Sequence, residues 1–290
     1  GTTWTQLGQD IDGEEAGDHF GHSVSLSSNG SRVAISSVEN GGNGTGIYTG
    51  HVRVYDYNNS NWVQVGNDID GAAQNYYFGW SVSLSSDGSR MAVGAPGSNG
   101  GAGHVGIYQF SGGSWTQLGS DIDGEGLDNH FGISVAISGD GSIIAAGAPY
   151  HNNNKGHVRV FENISGTWTQ VGSEIEGPNN NNQFGISVSL SNDGSIVAIG
   201  SNENSSGQAT GTVTVYQLIN SIWTQIGSDI DGDSNGDKFG QAISLNSAGS
   251  IIAIGASQED GSSGSGGYAR VYENISGNWT QVGSDFTALN

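Results

Sequence analysis

The chain has 290 residues with 51 Gly, 3 Pro, no Cys, 28 acidic and only 7 basic side chains, for a formal net charge of −21. Ordinary domains are about one quarter charged and about 7% Gly, so 12% charged residues and this much Gly set the composition apart. Such a polyanion offers no Lys/Arg footprint for a nucleic-acid backbone, no apolar run long enough to cross a bilayer, and no disulfide or thiolate metal site.

The opening Gly1-Thr2-Thr3 has no charged-then-apolar leader, as in a mature chain or a cut fragment. Few Lys, abundant Asn, Ser and Gly, and strong acidity suit an extracellular or high-salt setting. A secreted or cell-surface protein is expected, with no membrane insertion.

A tryptophan unit, Trp-(Thr/Val)-Gln-(Leu/Val/Ile)-Gly, opens the chain at Trp4 and recurs at Trp62, Trp115, Trp168, Trp223 and Trp279. An acid stands six residues after each Trp: Asp10, Asp68, Asp121, Glu174, Asp229 and Asp285. Ten residues after the first five acids comes Phe-Gly, at Phe20, Phe78, Phe131, Phe184 and Phe239. Ten residues further lies a turn Gly, and an aromatic stands seven before each later Trp. All length variation falls between that Gly and that aromatic, which is one loop per repeat.

Four strands fit each unit in chain order. Strand A alternates small and apolar residues with period two and is expected near 22–27, 80–85, 133–138, 186–191 and 241–246, lining a channel. A Ser-Asp-Gly or Asn-Gly pair then makes a tight hairpin. Strand B, as in Met91-Ala92-Val93-Gly94-Ala95, reads as buried on both faces. Strand C is His-Val-Arg-Val-Tyr at 51–55 and near-repeated at 157–161. Strand D carries the Trp, and no stretch shows a helical apolar period.

Four-stranded antiparallel units at this spacing predict an all-β fold, a five-bladed β-propeller in a single domain over 1–290. The repeats run approximately 10–67, 68–120, 121–173, 174–228 and 229–284, with residues 1–9 a supernumerary Trp strand that closes the ring or is spare. Residues 3–9 and 278–284 compete for the outer edge of blade five: one of them is spare, or the chain is cut from a longer array, or the spare strand adds to a second molecule.

Phe78-Gly79 with Gly94-Ala95-Pro96, and Phe131-Gly132 with Gly147-Ala148-Pro149, resemble the FG-GAP repeat of integrin α-subunit propellers and secreted microbial proteins. The resemblance implies a propeller and says little about function. The Asp-rich calcium loop that family often carries in the A–B hairpin is replaced here by short turns such as Ser85-Ser86-Asp87-Gly88.

In such a blade the B–C and D–A loops share one face, where the insertions lie. The strongest constellation there is Asp229, Asp231, Asp233, Asn235 and Asp237, oxygen ligands at alternate positions of a Gly-rich loop, which suits Ca²⁺. Asp10, Asp12 and Asp18 repeat it, and Asp121, Asp123 and Asp128 do so approximately. Against this, the first acid can cap strand D and Asp-Gly can simply turn the chain. Tyr76, Tyr77 and Trp80, with Tyr150 and His151, offer rings beside polar groups, a pattern that suits sugars. His51, His104 and His157 hold equivalent strand-C positions and read as packing residues. No catalytic motif is present, so the expected function is a non-enzymatic extracellular binding or adhesion module for a glycan or a surface or matrix protein. The alternatives are a calcium-dependent lectin, a structural spacer and, last, an enzyme on the propeller face, where the paired carboxylates would suit glycoside hydrolysis.

Overall fold

A computed structural model describes residues 3–40, 48–201, 210–257 and 267–287. The variable loops of blades one, four and five lie partly outside these residues. Five antiparallel sheets stand in a ring, each ordered A-B-C-D from the channel outward. Blade one runs Phe20–Leu26, Arg32–Ser37, His51–Tyr57 and Trp62–Gln64; blade two Ser81–Leu84, Arg90–Ala95, His104–Ser111 and Ser114–Gln117. Blade three runs Ser134–Ile137, Ile143–Ala148, His157–Ile164 and Thr167–Gln170; blade four Ser187–Leu190, Ile196–Ser201, Thr212–Ile219 and Ile222–Gln225. Blade five closes the series with Phe239–Leu245, Ile251–Ala256, Tyr268–Ile275 and Asn278–Gln281. The expected five-bladed propeller and the positions of its A strands are both observed.

Strand D is longer than expected and broken. After a bulge, a second piece returns to the start of strand C: Ile69–Asp70, Ile122–Asp123, Ile175–Glu176, Ile230–Asp231 and Phe286–Thr287. In blade three His157 faces Glu176 and Val158 faces Ile175. The Ile-Asp or Ile-Glu of the runs at 68–71, 121–124, 174–177 and 229–232 is therefore strand, not loop, while the run at 10–13 pairs with no strand. The reason is hydrophobic: Ile69, Ile122, Ile175 and Ile230 drop into the core between their own blade and the next. Phe78, Phe131, Phe184 and Phe239 enter the same cores from the following blade, each no more than 2% exposed.

The repeated tryptophans join blades. The Trp115 indole N–H donates to Val65 O at 3.2 Å, Trp168 to Leu118 O at 2.9 Å, Trp223 to Val171 O at 2.9 Å and Trp279 to Ile226 O at 3.0 Å. Trp62 donates likewise to Leu7 O at 3.0 Å. Trp4 departs from this pattern: it is fully exposed, because no earlier blade stands beside it.

Each A–B hairpin is fastened by one side chain. In blade three the Asp140 carboxylate accepts from Ser138 Oγ at 2.7 Å, Ser142 N at 2.9 Å and Ser142 Oγ at 2.7 Å. Asp87 and Asp193 do the same, and in blade one Asn29 does it with an amide oxygen. All three carboxyls are held below the usual range. Partial burial opposes this at Asp87 and Asp140 but is outweighed by the Ser hydroxyls and amides, while at Asp193 the Ser191 hydroxyl leads. Lowered folded-state values stabilise above the unfolded carboxyl value and lose that stability as pH falls through the folded one. The triple variant Asp87→Asn/Asp140→Asn/Asp193→Asn should therefore lose that contribution at neutral pH, up to about 1 kcal/mol per site. Its stability should also fall less steeply below about pH 4; an unchanged acid slope in denaturant melts would refute the assignment.

Candidate functional site

The acids of the expected calcium loops turn to different partners. Asp229 accepts from Gln225 at 2.8 Å and from Thr214 at 3.0 Å, and Asp231 accepts from Thr212 at 2.8 Å. Asp233 pairs with Arg270, whose Nη1 lies 3.0 Å away. Asp237, 2% exposed, accepts from Ser234 N at 3.0 Å and from the Tyr268 hydroxyl at 2.9 Å. Asp18 closes the equivalent turn, accepting from Glu15 N at 3.1 Å. Asp10 and Asp121 hold the Gln four residues before them, at 2.7 and 2.6 Å. Asp123 accepts from Asn99 at 3.3 Å. Asn235 and Asp12 stay at the surface, and Asp128 holds a left-handed turn position at φ 58°. Most of these groups thus clamp strand D and fasten the D–A turn.

The sequence reading missed the partner of these acids. The third residue of strand C is Arg53, Arg159 or Arg270 in blades one, three and five, each at most 8% exposed. Arg53 joins Asp68 at 2.8 Å to Glu14; Arg270 joins Asp285 at 2.8 Å to Asp233. Arg159 donates to Asp123 O at 2.7 Å and lies 4.3 Å from the centre of the Phe131 ring. Three of only seven basic residues at one repeat position were the available signal.

The expected aromatic site separates into two groups. Tyr77 meets Trp80 edge-on at 6.1 Å, and Trp80 also meets His22 at 4.7 Å. Tyr76 turns instead to His104 at 5.8 Å, packed against the core between blades one and two. Tyr150 lies against His130 at 5.3 Å, while His151 stacks on His157 at 4.1 Å and 26°.

That stack belongs to a constellation the sequence did not assemble. His151 sits in a four-residue helical turn, His151–Asn154, in the B–C loop, with Asn152 and Asn153 at positive φ. His157 begins strand C, and Glu174 lies in the strand-D bulge. Ligand atoms of His151, His157 and Glu174 fall within 4.8 Å of one another, as do those of Glu14, His51 and Asp68. His157 is 1% exposed with Nδ1 2.9 Å from Glu174. Burial, then His151 and Arg159, pulls its pKa down to about 3, so the ring is neutral and keeps a lone pair to donate. Asn129 holds His151 through Nδ1 at 2.9 Å. His51 is also lowered, mainly by burial, but in that trio Arg53 already pairs with both carboxylates. The blade-three trio therefore has the better donor set for a cation. The strand-C histidines are packed, as expected, and two of them also sit where a metal could be held.

No family model matches the chain. No curated protein matches it in sequence either. Solved structures do share its fold. The periplasmic gluconolactonase of Pseudomonas aeruginosa superposes with a TM-score of 0.61 at 16% identity, over 91% of this chain and 71% of that one. A 6-phosphogluconolactonase-like protein of Bacteroides uniformis gives 0.60 at 13% identity, also over 91% and 71%. TolB of Acinetobacter baumannii gives 0.51 at 14%, over 87% and 51%. At these identities the likeness establishes the propeller, not FG-GAP membership. It also corrects the expectation of a non-enzymatic adhesion module, lectin or spacer. That reading rested on missing catalytic motifs, and lactonases stand among the propellers of this shape. No helix among the described residues is long and apolar enough to cross a membrane.

Proposed function

We propose that the chain is a propeller hydrolase for small polyhydroxylated lactones, acting outside the cytoplasm, with His151, His157 and Glu174 at its centre. The observation that carries this reading is the trio itself: two imidazoles and one carboxylate within 4.8 Å, a donor set that suits Zn²⁺ or a similar divalent ion. Such an ion would supply Lewis-acid polarisation of the ester carbonyl and a hydroxide at neutral pH. The chain's own residues do the rest. Burial keeps His157 neutral, Asn129 contacts His151 Nδ1 at 2.9 Å and would orient that ring, and Glu174 would offset the cation's charge. Lactone opening there would add water's hydroxide to the carbonyl carbon, break the acyl C–O ring bond and return water's proton to the departing alkoxide, giving a hydroxy acid. Tyr150 and His130, edge to face beside the trio, offer a surface for the sugar ring. The names of two structural neighbours support the substrate class.

The test is a pH-stat assay on gluconolactone with chelated protein reloaded with Zn²⁺, Mn²⁺ or Ca²⁺. Activity should appear with one of the ions and fall at least about a hundredfold in His157→Ala, the scale of losing a metal-activated nucleophile. The same ion at 100-fold excess over its Kd should stabilise the wild type by about 2.7 kcal/mol and leave His157→Ala unmoved. Hydrolysis at the uncatalysed rate with every ion would end the proposal.

A further inference from the structure

A closed ring of five blades needs five junctions, and the described residues make four. At the channel mouth, backbone hydrogen bonds step from Ser28 N to Ser86 O (2.9 Å), Ser86 N to Gly139 O (2.8 Å), Gly139 N to Asn192 O (2.8 Å) and Asn192 N to Ser247 O (2.9 Å). Among the described residues no bond continues from Ser247 to Ser28. The apolar cores tell the same story. In blade four the flank that meets blade five buries Ala198, Val213, Val215 and Ile230 to 5% exposure or less. Their counterparts in blade five are Ala253, Ala269, Val271 and Phe286. Ala253 is exposed, Ala269 and Val271 are half-buried, and Phe286 is 65% exposed. Across the gap, Val24 and Leu26 of blade one are 56% exposed where Val82 and Leu84 of blade two are 7% exposed.

Residues 4–12 explain what fits there. They lie on blade one as the strand D of a preceding blade would: Leu7 O takes the Trp62 indole, Ile11 packs with Val33, Ile35 and Tyr55, and Gly13 abuts Phe20 as Gly71 abuts Phe78. Among the described residues they pair with no strand. This segment is also a better junction strand than the one blade five already holds. Its Ile11 and Asp12 match the Ile-Asp or Ile-Glu of all four closed junctions, whereas blade five's own strand has Phe286 and Thr287.

We infer that a second copy of this chain fills the fifth junction. Its residues 4–12, mounted on its own blade one, add as strand D to strand C of blade five, Tyr268–Ile275, in place of Asn278–Gln281 and Phe286–Thr287. Asp10 then takes the place of Asp285 beside Arg270, so the exchange conserves that ion pair. The net gain is burial of the two apolar flanks, with Val24 and Leu26 meeting Ala253, Ala269 and Val271. The partner is a second copy because the matching strand is this chain's own residues 4–12, which in each molecule sit on blade one while strand C of blade five pairs with 278–281 and 286–287. The contact is head-to-tail, so it closes a ring of copies or propagates.

The chain has no cysteine, so single cysteines report cleanly. Glu273 faces Thr280 in blade five, and Thr5 is the N-terminal counterpart of Thr280. Mixed Thr5→Cys and Glu273→Cys proteins, oxidised under native conditions, should give a disulfide-linked dimer of twice the chain mass that neither variant gives alone. The double variant Thr5→Cys/Glu273→Cys should give a ladder of multimers. Light scattering of the wild type should show mass rising with concentration, and Ile11→Asp should abolish the rise without shifting the circular dichroism spectrum. A cross-linked monomer from the double variant would mean the chain closes on itself and overturns the proposal. So would a wild type that stays monomeric together with mixed cysteine variants that form no cross-link.

Discussion

Phe131→Ala should destabilise the protein by about 3–5 kcal/mol, the cost of emptying a buried aromatic site. Phe131 is 0% exposed in the core between blades two and three. It meets the Phe161 ring edge-on at 6.4 Å, and the Arg159 guanidinium lies 4.3 Å from its centre. The surrounding strands belong to two different sheets held by their own backbone bonds, so the cavity cannot collapse easily. The melting temperature should fall by roughly 10 °C, at about 2–4 °C per kcal/mol for a domain of this size. The control is Leu127→Ala, at a side chain 73% exposed, which should stay within about 0.5 kcal/mol. A loss below about 1 kcal/mol at Phe131 would mean that the Phe-Gly residue is not the core of the junction.

The second large effect is steric and differs between equivalent glycines. A Cβ on Gly147 would overlap the Gly185 carbonyl oxygen of the next blade, and Gly94 and Gly200 meet Gly132 and Gly240 in the same way. Backbone cannot swing aside as a side chain does, so Gly147→Ala should cost about 3 kcal/mol or more, the upper range for overpacking. Gly255 is the counterpart in blade five, and a Cβ there meets only Ala242, its Cβ at 3.5 Å and its carbonyl oxygen at 3.8 Å, both ordinary contacts. At dilution Gly255→Ala should be neutral or slightly stabilising, because alanine restricts the unfolded chain. At high concentration it should weaken association, since the second copy needs the same close approach. Equal destabilisation by both substitutions in dilute solution would show that the fifth junction closes within one molecule.

Much of this molecule is set by local residues. The repeat spacing, the Phe-Gly and the turn glycines placed all five A strands, because hairpins and interblade cores recur with the same internal distances. Even the Asp-Ile-Asp-Gly run was half legible: the first acid does fasten strand D, in Asp229 as in Asp121, with the Gln four residues before it. Tertiary structure decided the rest. Whether Asp233 faces a cation or Arg270 depends on a strand 37 residues away, and His151, His157 and Glu174 come from a loop turn, a strand start and a bulge that only the folded blade unites. Trp4 and Trp168 sit in the same motif, yet one is fully exposed and the other packs into a core. A repeated sequence specifies the same contact surface in every copy; only the arrangement of blades determines which copies have a neighbour to bury it against.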